Sequence, residues 1–252
     1  MNEPLILAFL VFTRIGALLM SLPGIGAAFI PATARLGAAV PLTIILYPSV
    51  EGVTVPLTIS ELVLAVASEV VLGVAMGYSV QLVFSVLSTA FETIGLQAGL
   101  GMATLLDPIT GSQPSVLGVF AIWLATGLFF GTDLHLVCID AMARSLTTVP
   151  PAHTGDVIAR AGVLIPLADA TFRAGAQLAG PLVIFTFVVH LAQALLARMA
   201  PNMQLFWAIG PILSVGLGLV VLAATMPTLL GAWYAMMPRA LHAIAVLSGA
   251  GR

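Results

Sequence analysis

Six apolar segments make up most of this chain, at residues 4–22, 36–48, 60–91, 115–138, 175–197 and 205–247. A helix that crosses a bilayer needs about 20 apolar residues. Only 7% of the residues are charged, against about 25% in an ordinary soluble domain. So few charges cannot cover a globule in water. The chain reads as an integral membrane protein, or as a subunit buried in a membrane-anchored assembly. Backbone groups in lipid must bond within the protein, and helices satisfy that rule segment by segment. The expected fold class is all-α, with about six hydrophobic segments. No internal repeat or low-complexity tract interrupts the pattern, so residues 1–252 are read as one domain.

The segment lengths fit simple spans poorly. The second is short, and the third and last are long enough to hold a bend or a hairpin. Pro227 and Gly231 are the candidate breaks in the last. Arg14 lies near the centre of the first segment, and Glu61 and Glu69 lie in the third. A charge at mid-membrane depth costs a few kcal/mol, so such groups turn toward a bundle interior or a wet cavity. Two readings stay open for them: a structural ion pair between helices, or a conducting site.

Charge narrows the function class. The eight basic residues are all arginine, and ten acids leave a net charge of -2. Without a basic patch, nucleic-acid binding is not expected. Without lysine, neither a P-loop nor a Schiff base can be built. The single cysteine, Cys138, rules out a disulfide within the chain. The start, "MNEPLILAFL", lacks the basic stretch of a signal peptide, so the first apolar segment is expected to remain in the mature protein. Asp140/Arg144, Asp156/Arg160 and Asp169/Arg173 each place an acid four residues before an arginine, the favoured order on a helix. Short helices are expected there. The arginine cluster points residues 140–173 toward the cytoplasm, and its paired acids weaken that signal.

Gly73, Gly77, Gln81, Ser85, Ser88 and Glu92 recur at three- and four-residue spacing. At 100° per residue they fall in an arc of about 120°. Such a stripe suits close helix packing, and it equally suits a polar face on a conduit. Between the third and fourth segments runs "FETIGLQAGLGMATLLDPITGSQPS", Phe91–Ser115. Its glycines permit turns and close approach, and Asp107-Pro108 ends any helix. Gly99 and Gly101 do not make a nucleotide loop, because a third glycine and a following lysine are missing. His135, His153, His190 and His242 show no metal-ligand spacing. No catalytic set is visible, so neither an enzyme nor a cofactor is expected. His190 and Gln193, one turn apart, suit an interhelical hydrogen bond or a proton path. A second turn, "LARMAPNMQLF", Leu196–Phe206, joins two apolar segments through Pro201 and Asn202. A tight helical hairpin follows from that spacing.

"QAGLGMATLLDP", Gln97–Pro108, and "RMAPNMQLFWAIGP", Arg198–Pro211, resemble two stretches of the FliR family. These are R-type subunits of the flagellar export gate, with SctT-type homologues in virulence secretion. The resemblance extends to Arg14, Gly16, Pro23, Gly24, Pro31 and Arg35, to Glu69, Gly73 and Gly77, and to His135, Ser145 and Pro150. It covers nearly the whole chain.

The resemblance implies an inner-membrane, multi-pass subunit of the flagellar basal body. It implies FliP-type, FliQ-type and FlhB-type partners around a channel for unfolded export substrates. Residues 95–114 are expected to plug that channel. Gln97 and Asp107 would anchor the plug, Met102, Leu105, Leu106 and Ile109 would seal it, and Gly99, Gly101 and Pro108 would shape it. Arg14, Glu69, Gly73, Gly77, Gln81, Arg198, Pro201, Asn202, Met203 and Gln204 are expected at helix packing and subunit contacts. The alternatives are the corresponding subunit of a virulence system, or a secondary transporter or ion channel.

Overall fold

The computed structural model describes residues 3–24, 30–50, 52–53, 58–97, 115–153, 155, 157–199 and 204–249. For residues 158, 182, 197 and 204–213 it describes the backbone alone. The described residues are helical, without strands. In chain order the helices are α1 (Glu3–Ser21), α2 (Ala32–Leu46), α3 (Ile59–Gln97), α4 (Val116–Gly131), α5 (Leu134–Thr148), α6 (Val157–Ala161), α7 (Leu164–Met199) and α8 (Gln204–Leu247). A 3-10 turn, Tyr47–Val50, extends α2. Five stretches, in α1, α2 with its 3-10 turn, α3, α7 and α8, are long and apolar enough to cross a membrane. The pair α4–α5 adds a sixth if taken as one broken span. The chain is thus an all-α membrane protein.

Several boundaries follow from local chemistry. Thr58 precedes α3, and its hydroxyl accepts the Glu61 N–H at 3.3 Å. The Glu61 carboxylate in return accepts the Thr58 N–H at 3.4 Å. This is a capping box, which satisfies two otherwise orphaned donors. Glu61, expected within a span, is therefore an exposed residue of the first turn of α3. The fourth apolar segment is not one helix. It bends by 66° between α4 and α5, where Asp133 takes the left-handed conformation at φ 57°. Aspartate tolerates that region better than most residues. Pro150 and Pro151 stop α5.

The longest helices override their expected breaks. α3 runs unbroken for 39 residues, and α8 runs for 44 residues through Pro227 and Gly231. Asp169 and Arg173 lie on the 36-residue α7, not on a short helix. Asp140 and Arg144 do pair on the shorter α5, with Arg144 Nε donating to Asp140 Oδ2 at 2.8 Å. Asp156 lies outside the described residues.

The contacts divide into two compact units, each drawing on α3, α7 and α8. Unit 1 comprises residues 1–83, 126–170 and 236–252. Its core takes Leu7, Leu10, Val11, Ile15 and Leu18 from α1, Leu72 and Met76 from α3, Cys138 and Met142 from α5, and Ile244 from α8. The buried positions on α1 recur every three or four residues, the period of one helix face. Unit 2 comprises residues 84–125 and 171–235. Its core gathers Leu87, Phe91 and Ile94 of α3, Ala121 of α4, Ala179 of α7 and Trp233 of α8. Phe84 meets Trp233 edge-on, with ring centroids 5.9 Å apart. Large apolar side chains remain exposed on α2, α7 and α8, among them Ile44, Ile45, Ile184, Phe187 and Val220. Lipid or neighbouring chains must cover such surface, because water does not tolerate it in quantity.

Candidate functional site

Arg14 belongs to the buried stripe of α1 and is 0% exposed. Its partner is Glu69 of α3, also 0% exposed. The guanidinium grips the carboxylate through Nε to Oε2 and through Nη2 to Oε1, the latter at 3.0 Å. Its Nη1 donates to the backbone oxygens of Ser145 and Val149, each at 2.9 Å. Those carbonyls lie at the C-terminal end of α5, which carries partial negative charge; the Ser145 oxygen also accepts the Val149 N–H at 3.0 Å. Glu69 Oε1 also accepts the N–H of Ala152 at 3.2 Å, and Ala152 sits at φ 70°. One ion pair therefore binds α1 to α3, caps α5 and holds the turn after it. The Thr148 hydroxyl donates to the Ser248 carbonyl, which brings the end of α8 to the same place. Arginine suits the position because its planar fork serves a carboxylate and two carbonyls at once. Of the two readings left open for these charges, the pair is a structural ion pair between helices of one chain.

The same seam continues along α3. A Cβ added at Gly73 would approach the Cβ of Ala17 to 2.7 Å, and one at Gly77 would approach the Leu18 oxygen to 3.0 Å. Arg14–Glu69, Ala17–Gly73 and Leu18–Gly77 advance together in number, so α1 and α3 run parallel at close approach. Small residues make that approach possible. The stripe then changes character: Gln81 is exposed, while Ser85, Ser88 and Glu92 are half-buried.

Glu92 has a specific task in unit 2. Its carboxylate accepts the Ser115 N–H at 3.0 and 3.1 Å and the Ser115 hydroxyl at 2.8 Å. The Ser115 oxygen in turn accepts the Gly118 N–H at 3.0 Å. Ser115 is thus the N-cap of α4, and Glu92 secures the cap. Gly95 allows this contact, since a Cβ there would meet Ser115 Oγ at 2.7 Å. Phe91 and Phe120 pack beside it with centroids 5.8 Å apart. The described residues that flank 98–114, at the end of α3 and the start of α4, are consequently held together. Residues 95–97, expected in the loop, belong to α3. Gln97 lines a cavity of about 10 Å³ with Thr186, His190 and Ser214. Gly99, Gly101, Met102, Leu105, Leu106, Asp107, Pro108 and Ile109 lie outside the described residues. The composition of the loop marked this region, and Glu92 was read as the end of the small-residue stripe of α3, but its pairing with Ser115 was not expected. The serine three residues before Gly118, at the head of an apolar run, was the available signal.

α7 ends at Met199 and α8 begins at Gln204, and the hairpin turn expected between them lies outside the described residues. Gln193 Nε2 donates to Ser214 Oγ at 3.1 Å, a cross-link between α7 and α8. Arg198 is exposed, and Pro201, Asn202 and Met203 lie outside the described residues. The backbone of Gln204 opens α8. Among the described residues no cluster of His, Cys, Asp or Glu is placed to hold a metal ion.

Comparison with known proteins follows the same lines. The family "Bacterial export proteins, family 1" matches residues 5–240. The flagellar biosynthetic protein FliR of Caulobacter vibrioides is 35% identical over 228 residues, 90% of each chain. FliR of Escherichia coli is 32% identical over 227 residues, covering 88% of this chain and 84% of its own. The Yop proteins translocation protein T of Yersinia pestis is 27% identical over 183 residues, covering 71% and 70%. The buried Arg14–Glu69 pair, the glycine seam and the stapled base of residues 98–114 all lie within the matched range, and the chain belongs to the bacterial export proteins, family 1.

Proposed function

We propose that this chain is the R-type subunit of a flagellar protein export gate in the bacterial inner membrane, at the flagellar basal body. The observation that carries the reading is the similarity to FliR proteins along nine-tenths of the chain. The translocation relative matches less of the chain at lower identity, which favours the flagellar system over a virulence one. FliP-type, FliQ-type and FlhB-type subunits would cover the apolar faces left exposed on α2, α7 and α8. The chain would act without a catalytic group, by shaping a passage for unfolded protein.

Within that passage the segment 98–114 serves as the plug. Glu92, Ser115 and Gly95 support this assignment by closing its base. A fixed base lets the tip move while α3 and α4 stay in register. Met102, Leu105, Leu106 and Ile109 supply deformable apolar surface, which opposes the passage of hydrated ions. Gly99 and Gly101 supply the backbone freedom that displacement by a substrate requires.

Affinity purification of the chain in mild detergent tests the identity. Co-purification of P-type and Q-type subunits is the expected result, and a stable solitary monomer contradicts it. Deleting residues 103–111 tests the plug. The assembly should form normally and leak small ions, and unchanged conductance with normal assembly counts against a seal.

A further inference from the structure

Unit 1 contains a second feature, apart from the ion pair and from the base of residues 98–114. An open groove of about 420 Å³ lies between the start of α7 and the last turns of α8. Val163, Leu167 and Ala170 line it from one side and Ala243 from the other, with Arg239 and His242 at its edge. The volume lies within the range of pockets that hold small apolar ligands. Arg239 and His242 are three residues apart, so they share one face of α8.

These two groups make an unusual pair. Both are exposed, and α8 carries no acid anywhere in its 44 residues. Arg239 makes no ion pair or hydrogen bond with any described residue. An unpartnered arginine on a membrane-crossing helix is costly unless an anion or water reaches it. The acid nearest the groove in sequence is Asp169 on α7, exposed and one residue before Ala170. Its charge opposes an anion there, and Arg173, one turn further along α7, offsets it.

We infer that this groove binds an anionic phospholipid, with one acyl chain against Val163, Leu167, Ala170 and Ala243 and the phosphate against Arg239 and His242. An apolar trough beside an unpaired cation matches the two ends of that molecule. A zwitterionic lipid fits the trough equally well, but its ammonium group opposes the arginine. Arginine near a membrane surface also extends its stem along apolar atoms and its head toward phosphate. The inference does not depend on the export reading.

The test uses the full chain, purified with whatever subunits accompany it and stripped of lipid in detergent. Dioleoylphosphatidylglycerol or dioleoylphosphatidylcholine is then added, and retained lipid is counted by native mass spectrometry. The wild type should retain the glycerol lipid in preference to the choline lipid. Arg239→Gln should weaken retention of the glycerol lipid about fivefold, the worth of one charge near a membrane surface, and leave the choline lipid unchanged. Ala170→Leu, which fills the trough, should reduce both. Equal retention of the two lipids by the wild type overturns the inference. So does an Arg239→Gln chain that retains the glycerol lipid normally, or competition by inorganic phosphate as effective as by the lipid. A groove occupied by a co-purified protein and free of lipid overturns it as well.

Discussion

Replacing Arg14 with methionine should be among the most damaging single changes available to this chain. Methionine replaces most of the apolar stem but not the guanidinium, so the loss is chiefly one of polar contacts. Two N–H groups of Arg14 hold Glu69, and Nη1 serves the carbonyls of Ser145 and Val149. The Ser145 oxygen keeps a second donor, the Val149 N–H at 3.0 Å. Among the described residues, Arg14 is the donor to the Val149 oxygen. Arg14→Met therefore leaves a fully buried carboxylate with the Ala152 N–H as its one remaining donor among the described residues, and a carbonyl without that donor. Removing one member of a buried pair costs about 3–5 kcal/mol, and an orphaned buried carbonyl adds about 1–3 kcal/mol. Glu69→Gln should cost less, because the amide oxygen still accepts from Arg14 and both α5 carbonyls stay bonded. Arg14→Met combined with Glu69→Met removes both charges. That double variant should be less damaged than the sum of Arg14→Met and Glu69→Met by about 3 kcal/mol, the coupling expected of direct partners. The exchange Arg14→Glu with Glu69→Arg should not rescue, because an arginine on α3 cannot also cap α5. Denaturant unfolding in detergent, followed by gel filtration, measures each loss. An Arg14→Met chain as stable as the wild type, or strictly additive single changes, would refute the reasoning.

Three further outcomes follow from the geometry. Gly73→Ala should destabilise the detergent-solubilised chain by about 1–3 kcal/mol, because its Cβ would meet α1 and overpacking strains both helices. Gly127→Ala has open space around it and should stabilise α4 by about 0.5–1 kcal/mol, the usual difference for a helix interior; equal effects at the two positions would contradict the seam. Ser115→Ala should cost about 1 kcal/mol as a lost helix cap and should make the backbone at residues 115–118 exchange hydrogen faster. Cys138 is 2% exposed and should resist maleimide in the folded chain, reacting only after denaturation; rapid labelling of folded protein would show the α5 core to be open.

Local pattern carried much of the architecture. The six apolar segments became helices, five of them long and apolar enough to cross a membrane and the fourth a bent pair, because uninterrupted apolar runs in lipid have few alternatives to a helix. The stop of α7 at Met199 and the start of α8 at Gln204 were likewise legible, since Pro201-Asn202 interrupts the apolar pattern between them. The bend at Asp133 was not. Thr132-Asp133 looks unremarkable inside an apolar run, and only the packing on either side selects its left-handed turn. Pro227 and Gly231 misled in the other direction, as the helix around them persisted.

Composition and spacing alone determined that this is a helical membrane protein without a nucleotide loop or a disulfide, and that Arg14 and Glu69 must each find a partner. Desolvation makes that demand, and it can be read from burial expected at a single position. Tertiary structure alone decided who the partners are. Arg14 meets a carboxylate 55 positions away and two carbonyls more than 130 positions away, and Glu92 reaches across 23 positions to cap α4. Spacing along a chain reports which residues share a helix face. Which faces then meet depends on the whole packed set of helices, and no stretch of sequence contains that information by itself.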